Sequence, residues 1–187
     1  RAIETYQEAL RIPREMGHVH GETGWLEALG EVYLAAGDAP RAIDLLQEAL
    51  EKQRDIGNRP GEANTLTRLG NVYLSNEKYN DAEKCYREAM DIFVELGEKW
   101  GHCVCHSNQG YIQSVKGNSE NALNHWSEAL KLAGELKEIR LQAWLQQQLG
   151  DFYRSQNNIR LSAKSYEQGL AILEELNDPE LRWQLYY

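Results

Sequence analysis

Cysteine is scarce in this chain of 187 residues. Cys85, Cys103 and Cys105 form an odd set of three, too few to staple a domain and better suited to a reducing compartment than to a disulfide framework. Positive charge is also in deficit: 20 Lys and Arg stand against 29 Asp and Glu, a formal net charge of -9. Such a chain repels nucleic acid and anionic membrane surfaces at long range, which argues against either as the main partner. No apolar run is long enough to span a bilayer and no charged-then-apolar segment stands at the start, so a cytoplasmic location is expected. Also missing are a glycine-rich phosphate loop, a Gly-x-Ser-x-Gly elbow, and a nucleophile with a base at helical spacing. Each belongs to a common catalytic centre, so neither an enzyme nor a cofactor is expected.

What the sequence does have is a recurring phrase. Leu29-Gly30-Glu31-Val32-Tyr33 returns as Leu69-Gly70-Asn71-Val72-Tyr73 and Leu149-Gly150-Asp151-Phe152-Tyr153, and in weaker form as Gln109-Gly110-Tyr111-Ile112. The four glycines stand forty positions apart, and a fixed period of that size marks a stacked-repeat protein whose units cannot bury their apolar faces alone. After each phrase comes a turn and a second helical pattern: Ala42, Leu46, Ala49 and Leu50; Ala82, Tyr86, Ala89 and Met90; Ala122, Trp126, Ala129 and Leu130; then Ser162, Tyr166, Gly169 and Leu170. Both patterns have the period of a helix with one apolar face. Glycine in the first and small residues in the second let two antiparallel backbones approach closely.

The expected layout is a single array over 1–187, with full repeats at 21–56, 61–96, 101–136 and 141–176. Ala2, Tyr6, Ala9 and Leu10 are in register with Ala42, Leu46, Ala49 and Leu50, so 1–16 reads as the second helix of a truncated repeat. Asp178-Pro179 reads as a capped helix start, making 179–187 the beginning of a further repeat. A piece of a longer protein is therefore expected, with Ile3, Tyr6, Trp183 and Tyr186 at cut ends that pair chains end to end. Pro13 stands where other repeats have Gln53, Phe93, Ala133 and Leu173. An interior proline costs ~3 kcal/mol, so that helix is expected to kink or fray, with 17–21 as a loop. The joints at His106 and Gln109, and at Ser162 and Gly169, depart most from the pattern and are expected to be the weakest.

The succession of Leu-Gly-x-x-Tyr, then Ala, then an aromatic or Leu four later and Ala three beyond, resembles the tetratricopeptide repeat family over essentially the whole chain. Both helices are lengthened, as in the subset found in kinesin light chains, Pins-type polarity adaptors and the sensor regions of bacterial signalling ATPases. HEAT and armadillo repeats share the length but lack the phrase. The resemblance implies an all-α fold, a right-handed α-solenoid of antiparallel helix pairs that binds protein or peptide, with the first helix of each pair lining a concave groove. The positions it points outward are Gly24, Glu27, Glu31 and Leu34; Asn64, Thr67, Arg68, Asn71 and Leu74; Val104, Ser107, Asn108, Tyr111 and Ser114; and Trp144, Gln147, Gln148, Asp151 and Arg154. Such a wall begins acidic, becomes rich in amides and hydroxyls, and ends on an aromatic beside an Asp and an Arg. Amides suit a peptide backbone, and Tyr111 and Trp144 offer rigid anchoring area. Arg68→Glu with Asn71→Asp is expected to abolish capture without touching the fold. The clamp by which related cochaperones grip an acidic heat-shock tail uses Lys and Asn, where this chain has Glu27 and Glu31; two carboxylates would repel that ligand.

Two stretches resemble metal sites. His102, Cys105 and His106 lie at i, i+3 and i+4 and are soft ligands, but His106 and Cys103 align with core positions elsewhere and the spacing matches no common zinc motif. His18 and His20 with Glu22 fall in the expected loop. No metal is expected at either. The many glutamates read as solvated faces with neighbours such as Glu48 with Lys52. The function expected is a non-enzymatic protein-interaction module, the sensor or scaffold part of a larger signalling or regulatory protein, with a free-standing adaptor as the alternative.

Overall fold

The computed structural model describes residues 2–174, with side chains from residue 5 onward. Among these residues there is no strand. The helices are α1 (Ala2–Glu15), α2 (Val19–Ala35), α3 (Ala39–Asp55), α4 (Arg59–Ser75), α5 (Tyr79–Leu96), α6 (Lys99–Val115), α7 (Ser119–Glu135), α8 (Ile139–Ser155) and α9 (Ile159–Glu174). Each first helix packs most extensively on the second helix that follows it: α2 on α3, α4 on α5, α6 on α7, α8 on α9. The described residues divide into two compact units, one ending at Gly97 and the other beginning at Glu98. The first holds α1–α5 and the second α6–α9.

Every turn contains one residue in the left-handed region, and these residues recur every twenty positions. Gly17, Gly37, Gly57, Gly97 and Gly117 have φ between 65° and 80°, while Glu77, Lys137 and Asn157 take the same conformation at φ 57–58°. Glycine adopts it without a Cβ clash; other L-residues do not. Several helix starts are capped by a side chain: the Asp38 carboxylate accepts from Arg41 N–H at 3.2 Å, Asn58 Oδ1 from Gly61 N–H at 3.3 Å, and the Glu98 carboxylate from Trp100 and Gly101 N–H at 3.0 and 2.6 Å. Each satisfies an amide that has no partner within its helix.

The recurring glycine is where the two helices of a pair meet. A Cβ built on Gly70 would lie 2.7 Å from Tyr86 Cε1, on Gly110 2.8 Å from Trp126 Cδ1, and on Gly150 2.4 Å from Tyr166 Cε1. At Gly30, where the facing residue is Leu46 rather than an aromatic, the gap is 3.2 Å. The absent side chain thus makes room for a ring from the second helix. Tyr86 and Trp126 are fully buried there, and Trp126 packs edge-on against Phe152 with ring centroids 5.2 Å apart, in a cluster with Cys103, Ala122, Ala129 and Leu145. In the fourth pair Ser162 replaces the small alanine and donates its hydroxyl to the Gly150 carbonyl at 2.9 Å.

Two local expectations are corrected. α1 runs through Pro13 to Glu15, and the buried proline's carbonyl accepts from His18 N–H at 2.9 Å, as the Gln53 carbonyl accepts from Asn58 N–H at 2.9 Å. A proline this close to a helix end loses one backbone bond and keeps the turn that follows. The segment 17–21 is not all loop: α2 starts at Val19 because His18 caps it, Nδ1 accepting from Gly21 N–H at 3.0 Å. Asp178, Pro179, Trp183 and Tyr186, and the side chain of Ile3, lie outside the described residues; Tyr6 packs edge-on against Trp25, centroids 5.7 Å apart.

Gly110→Ala is expected to destabilise by about 1–3 kcal/mol in urea unfolding, because the buried indole of Trp126 cannot retreat. Gly30→Ala should be near neutral, its helix propensity gain of about 1 kcal/mol offsetting a milder contact. Lys137→Gly should stabilise by about 1 kcal/mol by relieving a left-handed residue, read as a higher melting temperature.

Candidate functional site

In the first unit the expected wall is formed by α2 and α4, which touch. Several of its polar side chains already have partners within the unit. Arg68 lies with Nε 3.5 Å from Glu27 Oε2 and pairs through its other end with Glu31, and Thr65 donates its hydroxyl to Glu27 at 2.5 Å. The acidic opening of the wall is therefore matched by a cation from the next repeat, a correction to the sequence reading. Thr67 donates back to the Ala63 carbonyl at 2.9 Å, and Asn71 Oδ1 accepts from the Tyr86 hydroxyl at 2.6 Å. Asn64 is exposed.

In the second unit the corresponding helices are α6 and α8, also in contact. Tyr111 and Trp144 remain 44% and 42% exposed, and Asn108, Gln147 and Gln148 are half-buried. Asp151 accepts from the Tyr166 hydroxyl at 2.7 Å and pairs with Arg154 at 2.9 Å. Ser107 does not join this wall. It is 2% exposed, because its short side chain stays within the helix packing where Glu27, Thr67 and Gln147 are long or broad enough to reach solvent.

The glutamates are less uniform than their number suggests. Glu22 and Glu62 are 7% exposed. Arg14 donates to Glu22 at 2.9 Å and to Glu48 at 2.5 Å, and Lys52 lies 3.2 Å from Glu22. Forty residues later Arg54 donates to Glu62 at 2.8 Å and Glu88 at 3.1 Å, while Arg59 joins Glu62 at 2.7 Å and Glu95 at 2.5 Å. So Glu48 is paired with Arg14, and the partner of Lys52 is Glu22. The recurrence of Arg14 and Arg54, Glu22 and Glu62, Glu48 and Glu88 is the signal that a pattern search confined to apolar residues passes over. Burial alone would push the Glu22 and Glu62 carboxyls up, but hydrogen bonds and charge from the cations beside them hold both below the usual carboxylate range. A second repeated feature is a cleft between neighbouring second helices, lined by Gln47, Leu69, Tyr73 and Cys85 and again by Gln7, Leu29, Tyr33 and Leu45.

The histidine stretch is regrouped by the fold. Cys105 is fully buried, and His106 meets His102 and the α7 residue His125 instead, with ring nitrogens 3.1 and 3.0 Å apart. Cys103 donates its thiol to the Ala129 carbonyl at 3.1 Å. Burial pushes the Cys103 thiol up to about 11 and the Cys85 thiol up to about 12, so neither is a nucleophile at neutral pH. Among the described residues no group of three or more His, Cys, Asp and Glu is arranged to hold a metal ion, and no helix is long and apolar enough to cross a membrane.

Residues 22–93, which carry the phrase twice and span α2 through most of α5, match the family model for the tetratricopeptide repeat. Those two helix pairs are tetratricopeptide repeats. No curated protein sequence matches the chain. Among solved structures the chain is similar to BtubC (BKLC) from P. vanneervenii, with TM-score 0.82, 20% identity, and 92% of this chain and 72% of that one covered. It is similar also to a signal transduction ATPase with numerous domains and a tetratricopeptide repeat sensor from Pyrococcus horikoshii, with TM-score 0.76, 19% identity, and 98% and 29% covered. A third is aspartyl phosphate phosphatase F from Bacillus subtilis, with TM-score 0.79, 12% identity, and 89% and 44% covered. At these identities the likeness is one of fold: the helix-pair solenoid of tetratricopeptide repeat proteins.

Glu62→Gln should lower stability at pH 7 by about 1–2 kcal/mol, since it removes the charge that two half-exposed arginines surround. The folded carboxyl titrates below its ordinary value of 4.5. Its contribution is therefore present above that pH and lost as pH falls through the folded value, so denaturation curves of wild type and variant should converge in that acid range.

Proposed function

We propose that the chain is a non-enzymatic protein-interaction module of tetratricopeptide repeats that captures a peptide or helix on its first helices, as the sensor or scaffold part of a larger signalling or regulatory protein. The observation that carries this reading is the exposure of Tyr111 and Trp144 on α6 and α8. Large aromatics left in water on helices that touch one another are anchors for a partner more than components of a core. Asn108, Gln147 and Gln148 stand on the same two helices and add amides that can give and accept hydrogen bonds from a backbone. The first unit's wall has its ion pairs closed on themselves, so the second unit is the primary contact surface.

Likeness to an ATPase with a repeat sensor, of which this chain spans 29%, supports the sensor reading over a free-standing adaptor. Buried cysteines that form no disulfide and the acidic balance of the chain support a cytoplasmic setting and a protein partner. The buried, neutral thiols support a role without catalysis.

Arg68→Glu with Asn71→Asp is no longer a silent test of the groove, because it sets a carboxylate against Glu27 and Glu31 and disturbs the acceptor of the Tyr86 hydroxyl. Tyr111→Ser with Trp144→Gln leaves those contacts alone. In affinity capture with quantitative mass spectrometry, a partner held by the wild type should be retained on the order of tenfold less by this double variant, with helical circular dichroism and melting unchanged. Undiminished capture would place the binding surface elsewhere.

A further inference from the structure

The three histidines stand at positions that the first unit fills with other chemistry. His106 occupies the place of the buried Leu26 and Leu66, His125 that of Leu45 and Cys85, and His102 that of the ion-paired Glu22 and Glu62. One helix pair has thus exchanged two apolar groups and an anion for three imidazoles. They form a chain across the α6–α7 joint: His102 Nε2 is 3.1 Å from His106 Nε2, and His106 Nδ1 is 3.0 Å from His125 Nδ1, with ring centroids 4.8 and 5.1 Å apart. Both ring nitrogens of His106 are used, so a neutral chain carries one N–H per link and a single direction. Adding protons places cations 5 Å apart in a half-buried joint, where like charges repel and hydration is lost.

We propose that this histidine chain makes the α6–α7 pair a proton-sensitive joint, which opens in mildly acidic conditions while the Arg–Glu-paired first unit stays closed. The carboxylates that act on His102 and His106 are Glu128 on α7 and, for His102, Glu98 at the head of α6. α8, which packs against both helices, brings the neutral Gln142 to the end of α7, where it donates to the Ala133 carbonyl. Burial pulls His106 down to about 4, helped by His102 and His125, and pulls His102 down against the opposing pull of Glu128 and Glu98. An open joint releases His106 toward its ordinary value of 6.5, so between pH 6.5 and 4 the open form binds more protons than the closed one. Stability of the joint is full above that window and is lost as pH falls through it. The paired glutamates of the first unit respond only at lower pH, below 4.5. The two effects are therefore separable.

The test is hydrogen exchange read by mass spectrometry on the full chain at pH 7 and pH 5, corrected for the intrinsic exchange rate. Protection over 99–135 should fall on the order of tenfold while that over 39–96, beyond the helix that the His18 ring caps, holds. His106→Leu, which restores the residue of the first two repeats, should remove the fall, and His125→Leu serves the same purpose should the first variant not fold. Unchanged protection of 99–135 at pH 5, or an equal loss in a folded leucine variant, overturns the proposal. Partner capture at pH 7 is a separate measurement and does not bear on it.

Discussion

Close contact between a glycine on one helix and a ring on the next is the constraint from which this protein follows. A helix pair with alanines throughout would close to a similar distance but would leave little apolar area to join one pair to another. By deleting one side chain at Gly70, Gly110 and Gly150, the chain admits a whole aromatic from the partner helix, and that ring has faces left for further neighbours. Trp126 shows the result: it fills the gap at Gly110 and also meets Phe152 from the following pair. Burial of such a ring is worth several times that of the methyl group it displaces. The small-residue sites at Ala82 and Ala122 serve the same end, keeping backbones near enough for the ring to be enclosed.

Much of this was legible in the sequence because it depends on spacing along one helix. The phrase, the forty-residue period, the facing of Gly against the residue four beyond Ala, and the helix-pair fold all follow from which positions share a face. What spacing does not report is which residues meet across helices. Arg68 reaching Glu27 and Glu31, Arg14 joining Glu22 to Glu48, and His125 completing the row begun by His102 and His106 all require the packed structure. Ser107 failed for a simpler reason: helical position predicts direction, and a short side chain pointing the right way still does not reach the surface. Pro13 costs less than an interior proline because it stands two residues before the end of α1: it forfeits its own bond to the preceding turn, but few helical bonds lie beyond it, and its carbonyl keeps the bond from His18 N–H.

The two units apply one framework to different ends. In the first, buried glutamates and their arginines close the seams between successive helices, and the first-helix wall is bound up in its own polar network. In the second, that position is taken by His102, the wall shows Tyr111 and Trp144 to water, and the joint behind it is titratable. Rigidity and availability are thus distributed unequally along a chain whose backbone plan is uniform, which accords with repeats that share an architecture while each is free to specialise.

The left-handed residues return every twenty positions while the glycine contact returns every forty. A duplication or deletion of twenty residues would preserve every turn yet bring two first helices, or two second helices, face to face, with rings opposed to rings and empty sites opposed to empty sites. A gain or loss of forty residues preserves both rhythms. Genes for arrays of this kind can therefore lengthen or shorten only by whole helix pairs, and variation in their length should be counted in that unit.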